Sequence, residues 1–213
     1  MTQSQLSGLL NSTADSYSDL TGAELAKRKI SELVVMGGGY PSGHSWNFWG
    51  SNPSLTAHVI HSWEGRIVFT GNDVGLHVLT GGPLMRYGPK DDPVRQAYIY
   101  YTFYTLRSSW DPLAFMYAAG GLGDLFAFGN KRGFNRIEPN GTNQWVDDGK
   151  EHDQFFLRLK VTNETAAREV DRLLLEGARS VAKTRDASGG FLQGWIIWAK
   201  TSRLLTCLVS AWW

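Results

Sequence analysis

Asp111 is the carboxylate with the most distinctive setting in this chain, directly after Trp110 and directly before Pro112 and the run LAFMYAAGG. Proline is well tolerated at a first helical position, so Asp111 reads either as the N-cap of a helix begun by Pro112 or as an acid with a functional task. Asn47 is the second candidate, flanked by Trp46, Phe48 and Trp49. An amide among aromatic rings can hydrogen-bond a hydroxylated ligand, and it can equally bond its own backbone. Asp91-Asp92 and Asp147-Asp148 lie in stretches rich in Gly, Pro and Lys and read as solvated loops. The five histidines show no metal-ligand spacing; His58 and His61, three apart on a predicted helix, read as a surface or interface pair for want of a third ligand. No G-x-S-x-G, P-loop, H-E-x-x-H or dinucleotide fingerprint occurs. A single cysteine, Cys207, excludes an internal disulfide and a cysteine-based zinc site.

The element that must position these groups is the stretch ELVVMGGGYPSGHSWNFWGSNP, Glu32 to Pro53. Leu33 to Met36 read as a short buried strand that empties into Gly37-Gly38-Gly39. Open α/β sheets place ligands outside the carboxyl ends of their strands, and glycines there let backbone approach a ligand or take positive φ. The alternative is a sterically demanding turn with no ligand.

Around that stretch the pattern alternates. Thr21-Gly22-Ala23-Glu24 has capping-box spacing and predicts a helix feeding the strand. Asn52 and Pro53 predict a capped helix to about Trp63, followed by a strand at Arg66 to Thr70, a turn at Gly71-Asn72-Asp73, and an extended or helical Val74 to Leu79. Val94 to Leu106 (VRQAYIYYTFYTL) predicts a buried helix, with a strand as alternative. Phe126 to Phe128, Phe134 to Ile137 and Phe155 to Val161 read as strands, with Asn140-Gly141 as a turn signal. Val170, Leu173, Leu174, Gly177 and Val181 follow helical spacing, which predicts a long amphipathic helix from Glu164 to about Lys183. Strands alternating with helices predict an α/β fold with a mostly parallel open sheet flanked by helices. Arg185 to Gly190 reads as a linker into the apolar tail FLQGWIIWAKTSRLLTCLVSAWW.

At 213 residues the chain can bury a real core. A formal charge of +1 gives no electrostatic reason to expect nucleic acid or an anionic membrane as partner. No apolar run reaches the roughly 18 to 20 residues needed to span a bilayer. The N-terminus MTQSQLSGLLNST has neither a basic region nor a long apolar core, so no signal peptide is expected and cytoplasmic is the default. The apolar tail would invite association, which leaves a homo-oligomer open.

Several segments in this order resemble inosine/uridine-preferring nucleoside hydrolases. VVMGGGYPSG-HSWNFWGSNPS resembles the family's strand, "MGG", aromatic-Asn and helix-start segment; RIVFTGNDVG resembles the following strand and turn. SSWDPLAFMYAA resembles the "DPLA" segment that carries the family's late metal ligand, in a form similar to fungal members. NETAAREVDRLLLEGA resembles the closing helix. The resemblance covers about residues 5–183 and implies a partial, N-terminally truncated nucleoside-hydrolase-like domain over 1–183, with 184–213 an unrelated apolar tail. It implies an N-glycosyl hydrolase that splits a small-molecule ribonucleoside into ribose and base with a Ca²⁺-activated water. By that resemblance Asp111 matches the late calcium ligand, Asn47 the asparagine that bonds the ribose, Gly37 and Gly38 the turn below the site, and Met36 the residue before that turn. Trp46 and Trp110 join Asn47 as substrate-binding residues. Trp110 stands where some members have the histidine that protonates the leaving base; it can stack on a base but has no proton to give as general acid. Ser45 stands where an acid is expected. The family's D-x-D-x-x-x-D-D cluster, which supplies most calcium ligands and the general base, has no counterpart here. No catalytic residue is therefore assigned, and the expectation is a chain without activity of its own.

Overall fold

The computed structural model describes residues 3–50, 52–188 and 206–208. In chain order the elements begin with α1 (Gln3–Leu10), α2 (Gly22–Lys29), β1 (Glu32–Met36), β2 (Ser42–His44), α3 (Trp46–Trp49) and α4 (Pro53–Ser62). They continue with β3 (Arg66–Thr70), α5 (Asn72–Leu76), β4 (Leu79–Thr80), α6 (Gly82–Tyr87), α7 (Pro93–Thr102) and β5 (Arg107–Ser108). The last are α8 (Trp110–Gly120), β6 (Phe126–Phe128), β7 (Phe134–Ile137), β8 (Thr142–Val146), β9 (Gln154–Leu159), α9 (Asn163–Ser188) and β10 (Thr206–Leu208). The class is α/β, with a mixed sheet of mostly parallel strands flanked by helices and, among the described residues, no closed barrel. The described residues divide into two compact units, 3–75 with 110–160 and 206–208, and 76–109 with 161–188.

In the first unit the sheet runs β10-β1-β3-β9-β6. β1 pairs in parallel with β10 and β3, and β3 with β9; β6 closes the other side antiparallel to β9. Strands covered on both faces read as unbroken apolar runs. Leu33, Val34 and Val35 of β1 and Ile67, Val68 and Phe69 of β3 are accordingly all buried. On one face Leu33, Val35, Ile67, Phe69 and Phe156 pack with Leu6, Val59 and Ile60 into a continuous core. α8 also packs on β1, with Leu113, Ala114 and Tyr117 buried. A three-stranded antiparallel sheet, β2-β8-β7, belongs to the same unit.

Two helix starts are set by side chains the sequence made visible. Thr21 accepts from the Glu24 amide while the Glu24 carboxylate accepts from the Thr21 amide at 2.8 Å, a complete capping box. Asn52 Oδ1 accepts from the Ser54 and Leu55 amides at the head of α4, with Pro53 first in the helix.

The second unit pairs β4 with β5 and packs α6, α7, α9 and β4 together. Thr80 and Ser109 hydroxyls bond at 2.6 Å, and the Asp171 carboxylate accepts from the Gly81 amide at 2.7 Å. The predicted buried helix at Val94 to Leu106 is α7 over Pro93–Thr102 only, and of its residues Thr102 alone is buried. Tyr100 and Tyr101 are exposed on it, and Phe103, Tyr104 and Leu106 are exposed beyond its end, where Phe103 and Tyr104 take positive φ. Asp92, expected in a solvated loop, is buried as the N-cap of α7 and accepts from the Arg95 amide at 2.7 Å.

α9 continues to Ser188, so Arg185 to Ser188 are helical where a linker was expected. Residues 189–205 and 209–213 of the apolar tail, and Ser51, lie outside the described residues. Among the described residues no helix is long and apolar enough to cross a membrane.

Candidate functional site

β1 ends at Met36 and delivers the chain into Gly37-Gly38-Gly39 beside the end of β3. The Gly37 amide bonds the Thr70 carbonyl (3.0 Å) and the Asn72 amide bonds the Gly38 carbonyl (2.7 Å), so the two strand ends share one loop region. Gly38 has φ +80°, and a Cβ there would lie 2.8 Å from the Tyr40 hydroxyl and 2.9 Å from the Phe48 ring. Only glycine combines that φ with that contact.

Behind the loop stands an amide relay. Asn143, fully buried on β8, accepts from the Gly39 amide (2.9 Å) and donates to the Gly39 carbonyl (2.8 Å). It also donates to Asn135 Oδ1 (3.1 Å), and Asn135 donates to the Tyr40 hydroxyl (3.2 Å). Burial first, and the nearby Asp73 carboxylate second, push the Tyr40 phenol well up, so it stays protonated. The sequence reading did not name Asn143 or Asn135, because β8 (TNQWV) is too polar to show itself as a strand.

Asn47 sits half-buried in α3, whose position before the helix is taken by the buried Ser45. Its Nδ2 donates to the Met36 carbonyl at 3.2 Å and lies against Met36 Sδ. That bond realises the backbone-bonding alternative and fixes the amide plane at the very end of β1. Trp46 packs edge-on to Trp49 (4.2 Å) and over Gly50, and is two-fifths exposed.

The WDP segment reaches the same strand ends from α8. The Trp110 indole donates to the Asn72 carbonyl at 2.9 Å, and a Cβ on Gly75 would lie 2.6 Å from Trp110 Cα. Helical geometry begins at Trp110, so Asp111 is a first-turn acid and not the N-cap, and Pro112 is third in the helix. A carboxylate there is favoured by the positive end of the helix dipole. Asp73, in the first turn of α5, brings a second, exposed carboxylate to the β3 side of the loop. The sequence marked Asn72 and Asp73 only as a turn.

The arrangement thus brings the Asn47 amide, the glycine-loop backbone, Asp73 and the Trp110 ring to the carboxyl ends of two adjacent parallel strands, with Asp111 next to Trp110 in the first turn of α8. Such groups hydrogen-bond hydroxyls and stack on a flat ring. Trp110 has one ring N–H and gives it to Asn72, which leaves the indole no acid role. Calcium needs six to eight oxygens. Among the described residues no group of three or more His, Cys, Asp or Glu side chains is placed to hold a metal ion, so Asp111 and its neighbours do not fit a calcium site by themselves.

No family model matches this chain, and no curated protein matches it.

Proposed function

We propose that this chain is nucleoside-hydrolase-like and that the carboxyl ends of β1 and β3 take a ribonucleoside, sugar toward Asn47 and Asp111 and base toward Trp110 and Trp46. The observation that carries the reading is the hydrogen-bonded junction from Met36 and Gly38 through Asn72 to Trp110. It brings two segments far apart in sequence, HSWNFWG and SSWDPLA, to the carboxyl ends of the same two strands. Those are the segments whose motifs resemble the family. In that family water bonds to the anomeric carbon as the bond to the base breaks, and the base leaves with a proton. The residues of this chain supply groups that recognise sugar and base, and not a set that fits the calcium and general base this step uses. Binding without turnover is therefore the form of the proposal that these residues support.

Titrating inosine and uridine into the full chain by calorimetry tests it. Saturable binding is expected, weakened at least about tenfold by Asn47→Ala, the scale of a lost charged or multidentate hydrogen bond. Chromatography of the same mixtures should show no free base. Absence of binding to either nucleoside overturns the site, and robust release of base overturns the binding-only form.

A further inference from the structure

The first unit carries a cleft of about 600 Å³ that none of Asn47, Trp46, Trp110 or Asp111 lines. Its volume falls inside the range of small-molecule sites, about 300 to 1,000 Å³. Phe156 forms the floor, buried and held by Tyr40 stacked at 5.0 Å and Trp145 edge-on at 5.0 Å. Trp145 forms a half-buried wall whose indole N–H is tied to the Arg132 carbonyl at 3.0 Å. Asn130, also in the lining, braces the strand that carries Phe156, donating to the Gln154 carbonyl (2.9 Å) and accepting from the Phe156 amide (3.0 Å). The aromatic surfaces are therefore fixed before any ligand arrives.

The charge on this cleft does not cancel. Lys131, Arg132 and Arg158 line it with one carboxylate, Asp147. Asp147 is paired to Arg132 at 2.8 Å and also accepts from the Gly149 amide. Lys131 and Arg158 make no ion pair among the described residues; the Arg158 guanidinium lies 5.5 Å over the Phe156 ring. Two cations facing a concave, partly apolar wall concentrate an anion there. A guanidinium presents a planar donor fork to carboxylate or phosphate oxygens, and indole and phenyl faces take a flat ring.

We propose that this cleft binds a small organic anion carrying a flat ring, its phosphate or carboxylate between Arg158 and Lys131 and its ring against Trp145. Phenyl phosphate is the probe, because it carries both features and no sugar. Calorimetry on the full chain should give a Kd of about 0.1 to 1 mM at low salt, weakened about tenfold or more in about 0.5 M NaCl. Arg158→Gln and Lys131→Gln should each weaken it by at least about fivefold, with the thermal transition unchanged because both side chains are exposed. Inorganic phosphate and phenol should each bind at least about tenfold more weakly than the conjugate. Asn47→Ala should leave phenyl phosphate binding unaltered, so that failure here and failure of the ribonucleoside site are separate results. No binding of phenyl phosphate at about 5 mM overturns the proposal, as does binding indifferent to salt and to both substitutions. Phosphate bound as tightly as the conjugate overturns the ring half.

Discussion

The end of β1 and the Trp145 cleft lie in the same unit and share Tyr40 as a structural neighbour, yet they are built in opposite ways. At the end of β1 the groups nearest the glycine loop already hold one another: Asn143 clamps Gly39, Asn47 is tied to Met36, and Phe48 fills the space a Gly38 side chain would need. At the cleft the aromatic surfaces are fixed, but Arg158 and Lys131 are exposed and make no ion pair among the described residues. The first region is a place where geometry is fixed by the fold and substitutions cost stability. The second is a place where charge is left over and substitutions cost only what binds.

The sharpest way to break that contrast is Phe48→Ala. Phe48 is fully buried against the glycine loop, and its removal should destabilise the protein by about 3 to 5 kcal/mol in urea denaturation. Gly38→Ala comes next, at about 2 to 4 kcal/mol, since it adds both positive-φ strain and a clash with the Tyr40 hydroxyl. Asn143→Ala strands the Gly39 amide and carbonyl without partners and should cost about 1 to 3 kcal/mol. Arg158→Gln at the cleft should stay within about 0.5 kcal/mol of the parent. An Arg158→Gln loss as large as that of Asn143→Ala would erase the distinction between the two regions.

The smallest effect lies at the other end of β1, where the Tyr117 hydroxyl donates to Glu32 at 3.1 Å. Burial raises the Glu32 carboxyl above the ordinary glutamate range and outweighs the lowering effect of Tyr117. The folded state then holds the proton more tightly than the unfolded chain, so this group's contribution is full below about pH 4.3, the unfolded value, and is lost as pH rises through the raised folded value. Glu32→Gln should therefore gain stability relative to the parent as pH goes from about 4 to 7. A stability difference that stays flat over that interval would contradict the raised carboxyl.

How much of this was legible in the sequence follows from how local each signal is. The Thr21–Glu24 capping box and the Asn52-Pro53 helix start were readable because both partners sit within three residues of each other. β1 and β3 were readable because burial on both faces demands an unbroken apolar run. Asp111 as N-cap was misjudged because its helix begins at Trp110, two residues before Pro112, and the Trp110 indole is bonded to Asn72 from a distant loop. Asp92 was misjudged because neighbouring glycine, proline and lysine say nothing about packing around a cap. The Asn143–Asn135–Tyr40 relay was invisible, since its members are joined only by tertiary structure and β8 hides among polar residues. Candidate residues could thus be nominated from the sequence, while the frame around them could not.

The central claim is that a ribonucleoside sits at the carboxyl ends of β1 and β3. Chemical-shift mapping on ¹⁵N-labelled full-length chain tests this most directly, with inosine added stepwise. The account predicts that the Gly37, Gly38 and Gly39 amides, the Asn47 side-chain amide and the Trp110 indole shift together along one saturable curve. Shifts that leave those five signals still while others move, or no shifts at all, would contradict it.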